Sequence, residues 1–495
     1  MARWFLDRSP QHGIPSVSLR RLLPDARFLG CRDLVVSGCS ADSRRIDPGQ
    51  VFVALRGESV DGHSFIPKAL ERGAAGVVAE RECTEAGRLQ VIVADSHEAH
   101  AKICQALAGD PTVQQPITAI AGGRGRLATI HFLKSILDAH GDRVGLLDSQ
   151  GWSDGRAAFP VPSADDASKT LGEILSSIVE RRCESILIEA TERDLARRVH
   201  AGLTLQSCVV LPLENAARDE EQARALRRDT AKLMHRVLPG GASVVCADDA
   251  DADLLGGLNL GTTLVSFGLR DRAMIRPTAI RRQPSGTSLT IHGLEREITV
   301  LLRIVGPDAV LAALAAAAAA HARGIPAKTI AAGLESAAAV PGYAERVDCG
   351  RPYSVWLERR PTFLVETLDA LRETTPGRIH LVLSVSSFLD VAPIEERADR
   401  LILTVDDPFG PDGLTALDCV RDQLVRPGRA RIELDRSKAI GAALSVAVAG
   451  DAVLILSNPL IRPASGNGRL RPLNDRAVIA SCLQDAPAMT RKSIA

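Results

Sequence analysis

Apolar strand runs alternate with helical stretches along most of the chain, and this alternation sets the fold class. In the middle of the sequence the runs RVGLLDS, SILIEA, CVVLPL and ASVVCADD are separated by helices predicted at residues 166–182 and about 217–237. Strands that are apolar throughout and joined by helices of this length form mostly parallel sheets, with helices on both faces. The sequence therefore predicts an α/β protein.

The alternation occurs in three blocks, which predict three domains. The first block, residues 1–112, ends at the tripeptide DPT and the polar linker VQQP. The second, residues 113–338, also contains a series of consecutive strands at 261–303, which predicts an antiparallel insert or edge. The third, residues 339–495, alternates again and predicts a second doubly wound domain.

Composition restricts the partners and the location of the chain. The 60 Lys and Arg residues balance 60 Asp and Glu residues, so no overall field attracts nucleic acid or an anionic membrane. The start, MARWFLDRSPQHG, lacks the apolar core of a signal peptide, and the alanine-rich LAALAAAAAAHARG is too short and too charged at its end to span a bilayer. We expect a cytoplasmic protein with no nucleic-acid binding and no membrane insertion.

The ten cysteines and eleven histidines show no metal-binding spacing. No C-x-x-C pair and no H-x-x-x-H pair is present, and several cysteines lie inside apolar runs. This pattern favours reduced, mostly buried thiols over a disulfide framework or a zinc site.

The segment ITAIAGGRGRLATI, residues 117–130, has the layout of a phosphate-binding loop: strand, glycine loop, helix. Backbone N–H groups at such a helix N-terminus attract anions. The predicted nucleotide- or phosphate-binding residues are Gly122, Gly123, Arg124, Gly125 and Arg126. Arg126 stands where the loop has Lys, and Leu127 stands where a Ser or Thr hydroxyl ligates Mg²⁺. The loop therefore predicts anion binding without productive handling of a nucleotide triphosphate.

Residues 37–80 carry a dense motif, DSR…PG-x-x-F-x-A-x-x-G…DGH-x-F, that resembles the N-terminal domain of the Mur ligases. The match is to the UDP-N-acetylmuramoyl-tripeptide synthetases, the MurE type. PGYAERVDCG and LNDRAVIASCL resemble segments of the third domain of that family. The resemblance implies three domains in Mur-ligase order: an N-terminal UDP-precursor domain, a central P-loop-like ATPase domain and a C-terminal Rossmann-like domain.

The resemblance also implies a binding site for a UDP-linked precursor such as a UDP-N-acetylmuramoyl-peptide. The residues it implies there are Asp42, Ser43, Arg44, Asp61, Gly62 and His63. A Ser hydroxyl and an Arg guanidinium suit a uracil or a diphosphate. The alternative is that both motifs are turns that shape the domain, and the sequence leaves the two open.

For the chemistry, the resemblance implies ATP and Mg²⁺ as cofactors, with an acyl-phosphate intermediate. The metal-binding Glu of the family matches Glu189 in EATERDL, and its carbamylated Lys matches Lys232 in TAKLMHRVL. Together with Arg126, these are the candidate remnants of a catalytic site. Other motif positions have changed: the Ser pair and His of EVSSHAL are replaced by Thr191, Glu192 and Arg193.

Because a preorganised phosphoryl-transfer site loses several kcal/mol of barrier lowering with each missing group, these changes predict lost or strongly impaired ligase activity. The first hypothesis is a MurE-like protein that binds a UDP-linked precursor or pairs with another Mur-pathway protein. The second is a divergent but active ATP-dependent amide ligase, in which Arg126 replaces the Lys. The third is a purely structural partner that binds no small molecule.

Overall fold

A computed structural model describes residues 16–57, 60–84, 89–113, 115–161, 167–213, 219–258, 261–283, 286–304, 307–337, 345–358, 364–384, 391–405, 411–456 and 474–485. The chain divides into two compact units. The first comprises Met1–Arg276 with Ala315–Ile330, and the second comprises Pro277–Leu314 with Ala331–Ala495. The predicted domain boundaries after residues 112 and 338 stay predictions.

The N-terminal part of the first unit is built on a small mixed sheet. A separate two-stranded ribbon consists of β1 (Val17–Ser18) and β3 (Val35–Val36). The strands of the sheet itself are β2 (Arg27–Leu29), β4 (Cys39–Ser40), β5 (Val51–Val53), β6 (Gly76–Ala79) and β7 (Gln90–Ile92). The described sheet has the order β2-β7-β6-β5-β4, parallel except for the edge strand β2. Its helices are α1 (Leu19–Leu22), α2 (Ile66–Glu71) and α3 (Ser96–Leu107). The Asp95 carboxylate accepts from the N–H of Glu98 and so fixes the start of α3.

A larger sheet follows in the same unit. Its strands are β8 (Ile117–Ala121), β9 (Val144–Asp148), β10 (Gly151–Ser153), β11 (Ala158–Phe159), β12 (Ser185–Glu189), β13 (Leu205–Val210), β14 (Val237–Cys246) and β15 (Thr263–Phe267). Its helices are α4 (Arg126–His140), α5 (Ala167–Glu180), α6 (Glu192–Ala196), α7 (Glu220–Met234) and α8 (Ala252–Gly256). In the described residues the order is β11-β10-β9-β12-β8-β13-β14-β15, and the strands from β9 to β15 in this order are parallel.

The first strand of this sheet, β8, lies in the middle, between β12 and β13. The connection after β8 leads toward β9 and the connection after its neighbour β13 leads toward β14, in opposite directions, so the carboxyl ends of β8 and β13 form a topological switch point. Open α/β sheets bind their ligands at such points. All five residues of β8 are buried, as expected for a central parallel strand.

The second unit contains two sheets in its described part. The first is β16 (Arg276–Gln283), β17 (Gly286–His292) and β18 (Ile298–Leu302), with β17 and β18 antiparallel. The strand series predicted at 261–303 is thus divided, because Thr263–Phe267 joins the central sheet in parallel instead.

The other sheet has the order β19-β20-β24-β21-β22-β23 and is parallel except for β19. Its strands are β19 (Glu345–Val347), β20 (Ser354–Glu358), β21 (Ile379–Ser384), β22 (Arg400–Thr404), β23 (Ala430–Ile432) and β24 (Ala452–Leu456). The remaining helices are α9 (Pro307–Ala322), α10 (Ala327–Ser336), α11 (Leu364–Arg372), α12 (Ala392–Arg397), α13 (Pro411–Gln423), α14 (Arg436–Val446) and α15 (Asp475–Asp485). These parallel sheets confirm the predicted α/β class.

The alanine-rich segment forms α9, as predicted for a packed helix. Its alanines from Ala312 to Ala320 are buried, because small side chains let a helix approach its neighbours closely. Within the described ranges, no helix combines the length and apolarity needed to cross a bilayer.

Candidate phosphate-loop site

The glycine loop lies at the carboxyl end of β8, at the switch point of the central sheet. Gly122 has φ +106°, and a Cβ added there would clash with the backbone carbonyl of Leu211, which follows β13. Gly125 has φ +92° and directly precedes α4. Both positions therefore require glycine, for the left-handed backbone and, at Gly122, also for the close approach of the neighbouring strand.

The loop is also tied to the strand beside it. Leu211 donates its N–H to the carbonyl of Ala121 at 3.0 Å, and Gly123 donates its N–H to the carbonyl of Pro212 at 2.8 Å. The Gly123 amide is thus used within the protein rather than offered to a ligand. Arg124 is half-buried in the same loop.

Arg126, the first residue of α4, folds its side chain back over the loop. Its Nη1 donates to the carbonyl oxygens of Gly122 and of Gly123, the latter at 3.1 Å. Only 14% of the side chain is exposed. The guanidinium therefore fills the concave side of the loop with a fixed positive charge.

Two carboxylates form hydrogen-bonded ion pairs with this guanidinium. Arg126 Nε donates to Glu189 Oε1 at 3.2 Å, while Nη1 and Nη2 donate to the two oxygens of Glu192 at 2.6 and 3.1 Å. Burial lowers the pKa of Arg126, but the charges of Glu192 and Glu189 outweigh it, so that the pKa is raised overall. The result is a permanent ion triad at the end of the central strand.

The local fold determines the positions of the Glu189 and Glu192 side chains. Glu189 ends β12, next to β8, and its Oε2 accepts the N–H of Ser149 at 2.8 Å. Glu192 begins α6, whose start is fixed by the Thr191 side chain accepting from the N–H of Asp194. Glu189 is 5% exposed and Glu192 is 37% exposed, so the inner pair is the one shielded from solvent.

The residues at the loop do not fit Mg²⁺. This cation requires octahedral oxygen ligands at about 2.0–2.1 Å. Leu127 contributes no oxygen, and both oxygens of Glu189 already accept hydrogen bonds from Arg126 and Ser149. The positive charge that would balance Glu189 is supplied by the guanidinium.

Lys232 lies on α7. The buried face of α7 carries Leu226, Thr230, Leu233 and Met234. Lys232 is 50% exposed, with its Nζ 3.7 Å from Asp229. The contacts described for Lys232 and those described for Glu189 share no residue, and the assignment of both residues to one metal site stays a prediction.

Lys232 lines a cavity of about 290 Å³. Ion pairs surround it: Arg198 with Asp95 at 2.7 Å, and Arg236 with Glu98 at 2.7 Å. The cavity is lined by residues of α3, α6 and α7 and of the segments that follow α6 and α7, far along the chain from the glycine loop.

Asp42, Ser43 and Arg44 follow β4 in the N-terminal sheet. Asp42 accepts the backbone N–H of Arg44 at 2.9 Å and its guanidinium Nη2 at 2.9 Å, and this bonding by Arg44 lowers the pKa of Asp42. Ser43 is buried, whereas the Arg44 side chain is 74% exposed. The turn therefore presents an oriented guanidinium to solvent.

Asp61, Gly62 and His63 form a tighter unit. Asp61 accepts from both the backbone N–H and Nδ1 of His63, at 3.0 and 2.6 Å, and from Arg81. Because the N–H of Glu80 donates to Nε2 at 3.1 Å, the imidazole proton sits on Nδ1. The His63 N–H and Arg81 hold the pKa of Asp61 well below its usual range. Both nitrogens of the buried imidazole are thus engaged by the protein itself.

The site contact that sequence reasoning missed is the one to Glu192. The sequence marks this position only as a changed motif residue. In the structure both carboxylate oxygens of Glu192 accept hydrogen bonds from the guanidinium of Arg126. The available signal was chemical: a new Arg and a new Glu appear at two positions of one predicted site.

Comparison with known proteins places these observations in a family context. Residues 35–113 match the model of the Mur ligase family, catalytic domain. The chain is 27% identical over 445 residues to the UDP-N-acetylmuramoyl-L-alanyl-D-glutamate--2,6-diaminopimelate ligase of Bacillus licheniformis, a match that covers 86% of this chain and 90% of the relative. It is 25% identical over 466 residues to the ligase of the same name from Caldanaerobacter subterraneus, covering 91% and 95%.

Two solved structures show the same fold. A structure of a UDP-N-acetylmuramoyl-L-alanyl-D-glutamate--2,6-diaminopimelate ligase matches with a TM-score of 0.70 and 20% identity, over 95% of this chain and 99% of that one. Folylpolyglutamate synthase of Mycobacterium tuberculosis, complexed with ADP, matches with a TM-score of 0.60 and 16% identity, over 73% and 92%. The predicted MurE-type resemblance and the predicted fold in Mur-ligase order are confirmed.

Proposed function

We propose that this chain, which belongs to the Mur ligase family, is a MurE-like protein that binds a UDP-linked muramoyl peptide but does not ligate an amino acid to it with ATP. The observation that carries the proposal is the Arg126 guanidinium, which lies in the glycine loop and is paired with Glu189 and Glu192. The relatives named above are peptidoglycan-precursor ligases, which supports a role for this chain with the same class of precursor.

The charges at the glycine loop oppose ATP turnover. Mg²⁺ could reach Glu189 only if Arg126 left it, because the guanidinium already donates to that carboxylate. The cation must therefore compete with a guanidinium that is part of the chain, and the displaced guanidinium loses its buried partner. Leu127 has no hydroxyl that could ligate the cation and so favour its binding.

The argument for precursor binding rests on the N-terminal domain. The match to the family model falls there, at residues 35–113. Asp42 orients the exposed Arg44 guanidinium through hydrogen bonds to its Nε and Nη2, which prepares a planar donor for a diphosphate or a uracil. We assign Asp42 and Arg44 to the precursor site and Asp61 and His63 to the architecture of the domain.

The competing function is a divergent but active ligase. Two observations favour it: the glycine geometry of the loop is retained, and Arg126 keeps a positive charge beside it. In that case Arg126 would swing away from its carboxylates when nucleotide binds.

The decisive experiment compares ligand binding and turnover in wild-type protein and one variant. Calorimetry with UDP-N-acetylmuramoyl-dipeptide, and separately with Mg-ATP, measures binding, and phosphate release with precursor and mixed amino acids measures turnover. We expect precursor binding, no Mg-ATP binding and no phosphate release. Precursor- and amino-acid-dependent phosphate release by the wild-type chain would refute the proposal in favour of the active ligase, and absence of precursor binding would leave the structural-partner hypothesis.

A variant with Arg126→Lys, Leu127→Thr and Glu192→Ser tests the cause. It removes the two-point partner of the guanidinium and restores a hydroxyl beside the loop. We expect it to gain Mg-ATP binding. Lys134→Ala, on an outer turn of α4 where Lys134 pairs with Asp138, is the matched control and should gain none.

A further inference from the structure

The N-terminal domain holds a second cluster of chemically active side chains, independent of the glycine loop. Cys39 lies on β4, and His100 and Cys104 lie one turn apart on α3. Their ligand atoms all lie within 4.8 Å of one another, which in the described part of the chain is true of no other group of three such side chains. Neither a C-x-x-C nor an H-x-x-x-H pair marks the cluster in the sequence, because it joins one strand cysteine to a His and a Cys on one helix.

The distances match those of a tetrahedral thiolate–imidazole site. Cys39 Sγ lies 3.6 Å from Cys104 Sγ, and Cys104 Sγ lies 3.5 Å from His100 Nε2. With Zn–S of about 2.3 Å and Zn–N of about 2.0–2.1 Å, tetrahedral geometry places two sulfurs about 3.8 Å apart and a sulfur and a nitrogen about 3.5 Å apart. The three side chains therefore need to move only slightly to share one ion.

The surroundings favour a neutral complex. Cys39, His100 and Cys104 are 6%, 2% and 4% exposed, and both cysteines belong to an apolar core that includes Leu19 and Ile103. Burying a net charge in such a core is costly. Two thiolates and a neutral imidazole balance a divalent cation, whereas a monovalent one would leave a net negative charge.

We propose that Cys39, His100 and Cys104 form a Zn²⁺ site that joins β4 to α3. Binding converts both thiols to thiolates, whose protons pass to solvent, and leaves the fourth tetrahedral position to a non-protein ligand such as water. The site ties the strand before Asp42 to the helix that packs against the sheet. It does not rest on the proposed function, since it shares no residue with the glycine loop.

The test uses the full-length protein, stripped of metal with a chelator under reducing conditions. Zn²⁺ is titrated in competition with a chromogenic chelator, and Co²⁺ is titrated to give the visible bands of a tetrahedral thiolate complex. We expect one ion per chain and a higher Tm with Zn²⁺. Cys39→Ser and His100→Gln should each weaken binding by more than about 100-fold, beyond the usual effect of losing an outer-shell residue.

Cys83→Ser is the matched control, because Cys83 is a half-buried cysteine of the same domain outside the cluster, and it should leave binding unchanged. The Co²⁺ spectrum of the wild-type chain remains informative if a variant fails to fold. Several results would overturn the proposal: no Zn²⁺ bound by folded apoprotein, equal binding by Cys39→Ser, tight binding of Cu⁺ without Zn²⁺, or a Cys39–Cys104 disulfide in protein isolated under reducing conditions.

Discussion

Replacing Arg126 with Ala removes the positive charge shared by Glu189 and Glu192 and leaves both carboxylates without a counter-ion at the end of β12. Arg126 also satisfies the carbonyls of Gly122 and Gly123, so the substitution opens the loop as well. We expect Arg126→Ala to destabilise the central sheet around the loop.

The magnitude follows from burial and distance. At 3.2 Å and an effective dielectric constant of about 20, the gross attraction between Arg126 and Glu189 is about 5 kcal/mol. Desolvation of the two groups offsets part of this, and removing one partner of such a pair costs about 3–5 kcal/mol. Glu192 is 37% exposed, so solvent screens its share and Glu192→Ala should cost only about 0.5–1 kcal/mol.

Hydrogen exchange is the suitable assay, because a chain with two compact units does not unfold in one step. Exchange is followed in peptides covering 126–140 and 185–196. A local loss of about 3 kcal/mol corresponds to exchange faster by about 100-fold or more in Arg126→Ala. Lys134→Ala, on the same helix but paired with the exposed Asp138, should change exchange by less than threefold.

The reasoning fails if Arg126→Ala and Lys134→Ala have similar, small effects. It also fails if Glu192→Ala costs as much as Arg126→Ala, since the energetic order is assigned from the burial of Glu189. A double-mutant cycle between positions 126 and 192 separates the two contributions, and we expect coupling below that between 126 and 189.

Two further predictions concern Gly122 in the glycine loop and His200 at the cavity beside α7. Gly122→Ala should prevent stable folding of the central domain, because it adds a clash with Leu211 to the strain of a positive φ, whereas Gly141→Ala, with the same φ of +106° and open space around it, should cost only about 1 kcal/mol in thermal unfolding. Burial lowers the pKa of His200 to about 4, below the value of about 6.5 expected when unfolded. Between these two values His200 is protonated in the unfolded chain but not in the folded chain. The free energy of unfolding should therefore fall by about 3 kcal/mol as the pH drops from about 6.5 to 4. His200→Gln should flatten that part of a Tm-against-pH profile, and an unchanged profile would contradict the assignment.

The fold was largely predictable because its signals are periodic and local. Fully apolar strand runs separated by helical stretches can bury both faces of a strand only in a parallel sheet covered by helices, and β8, β12 and β13 form as expected. The strand Thr263–Phe267 was assigned to an antiparallel region because short apolar runs do not encode their partner. Its pairing with β14 is decided by the order of the whole sheet.

The site was predictable in place but not in geometry. The glycines located the loop, since Gly122 needs a positive φ and close backbone approach. Lys232 is predicted from a short motif alone and stays a prediction, because the side of α7 that it occupies depends on the helix register, which buries Leu226, Thr230, Leu233 and Met234. The Cys39, His100 and Cys104 cluster could not be predicted for a related reason: 60 residues lie between its strand ligand Cys39 and its first helix ligand His100.

In the sequence, the substitutions at the glycine loop look like separate losses. The contacts of Arg126 show that they act together, because they provide Glu189 with a guanidinium as its counter-charge. A carboxylate at the end of a central strand, as buried as Glu189, requires a counter-charge. In a metal-dependent site that charge leaves with the metal, whereas Arg126 is covalently part of the fold and cannot dissociate. Glu192 then accepts two hydrogen bonds from the planar guanidinium of Arg126. The compact ammonium of a Lys could not form this two-point contact. Lys→Arg without Glu192 would leave the fork half-satisfied, and Glu192 without Arg126 would add repulsion to Glu189. The two changes therefore complement each other, with Glu189 as the buried partner of the guanidinium and Glu192 as the more exposed one.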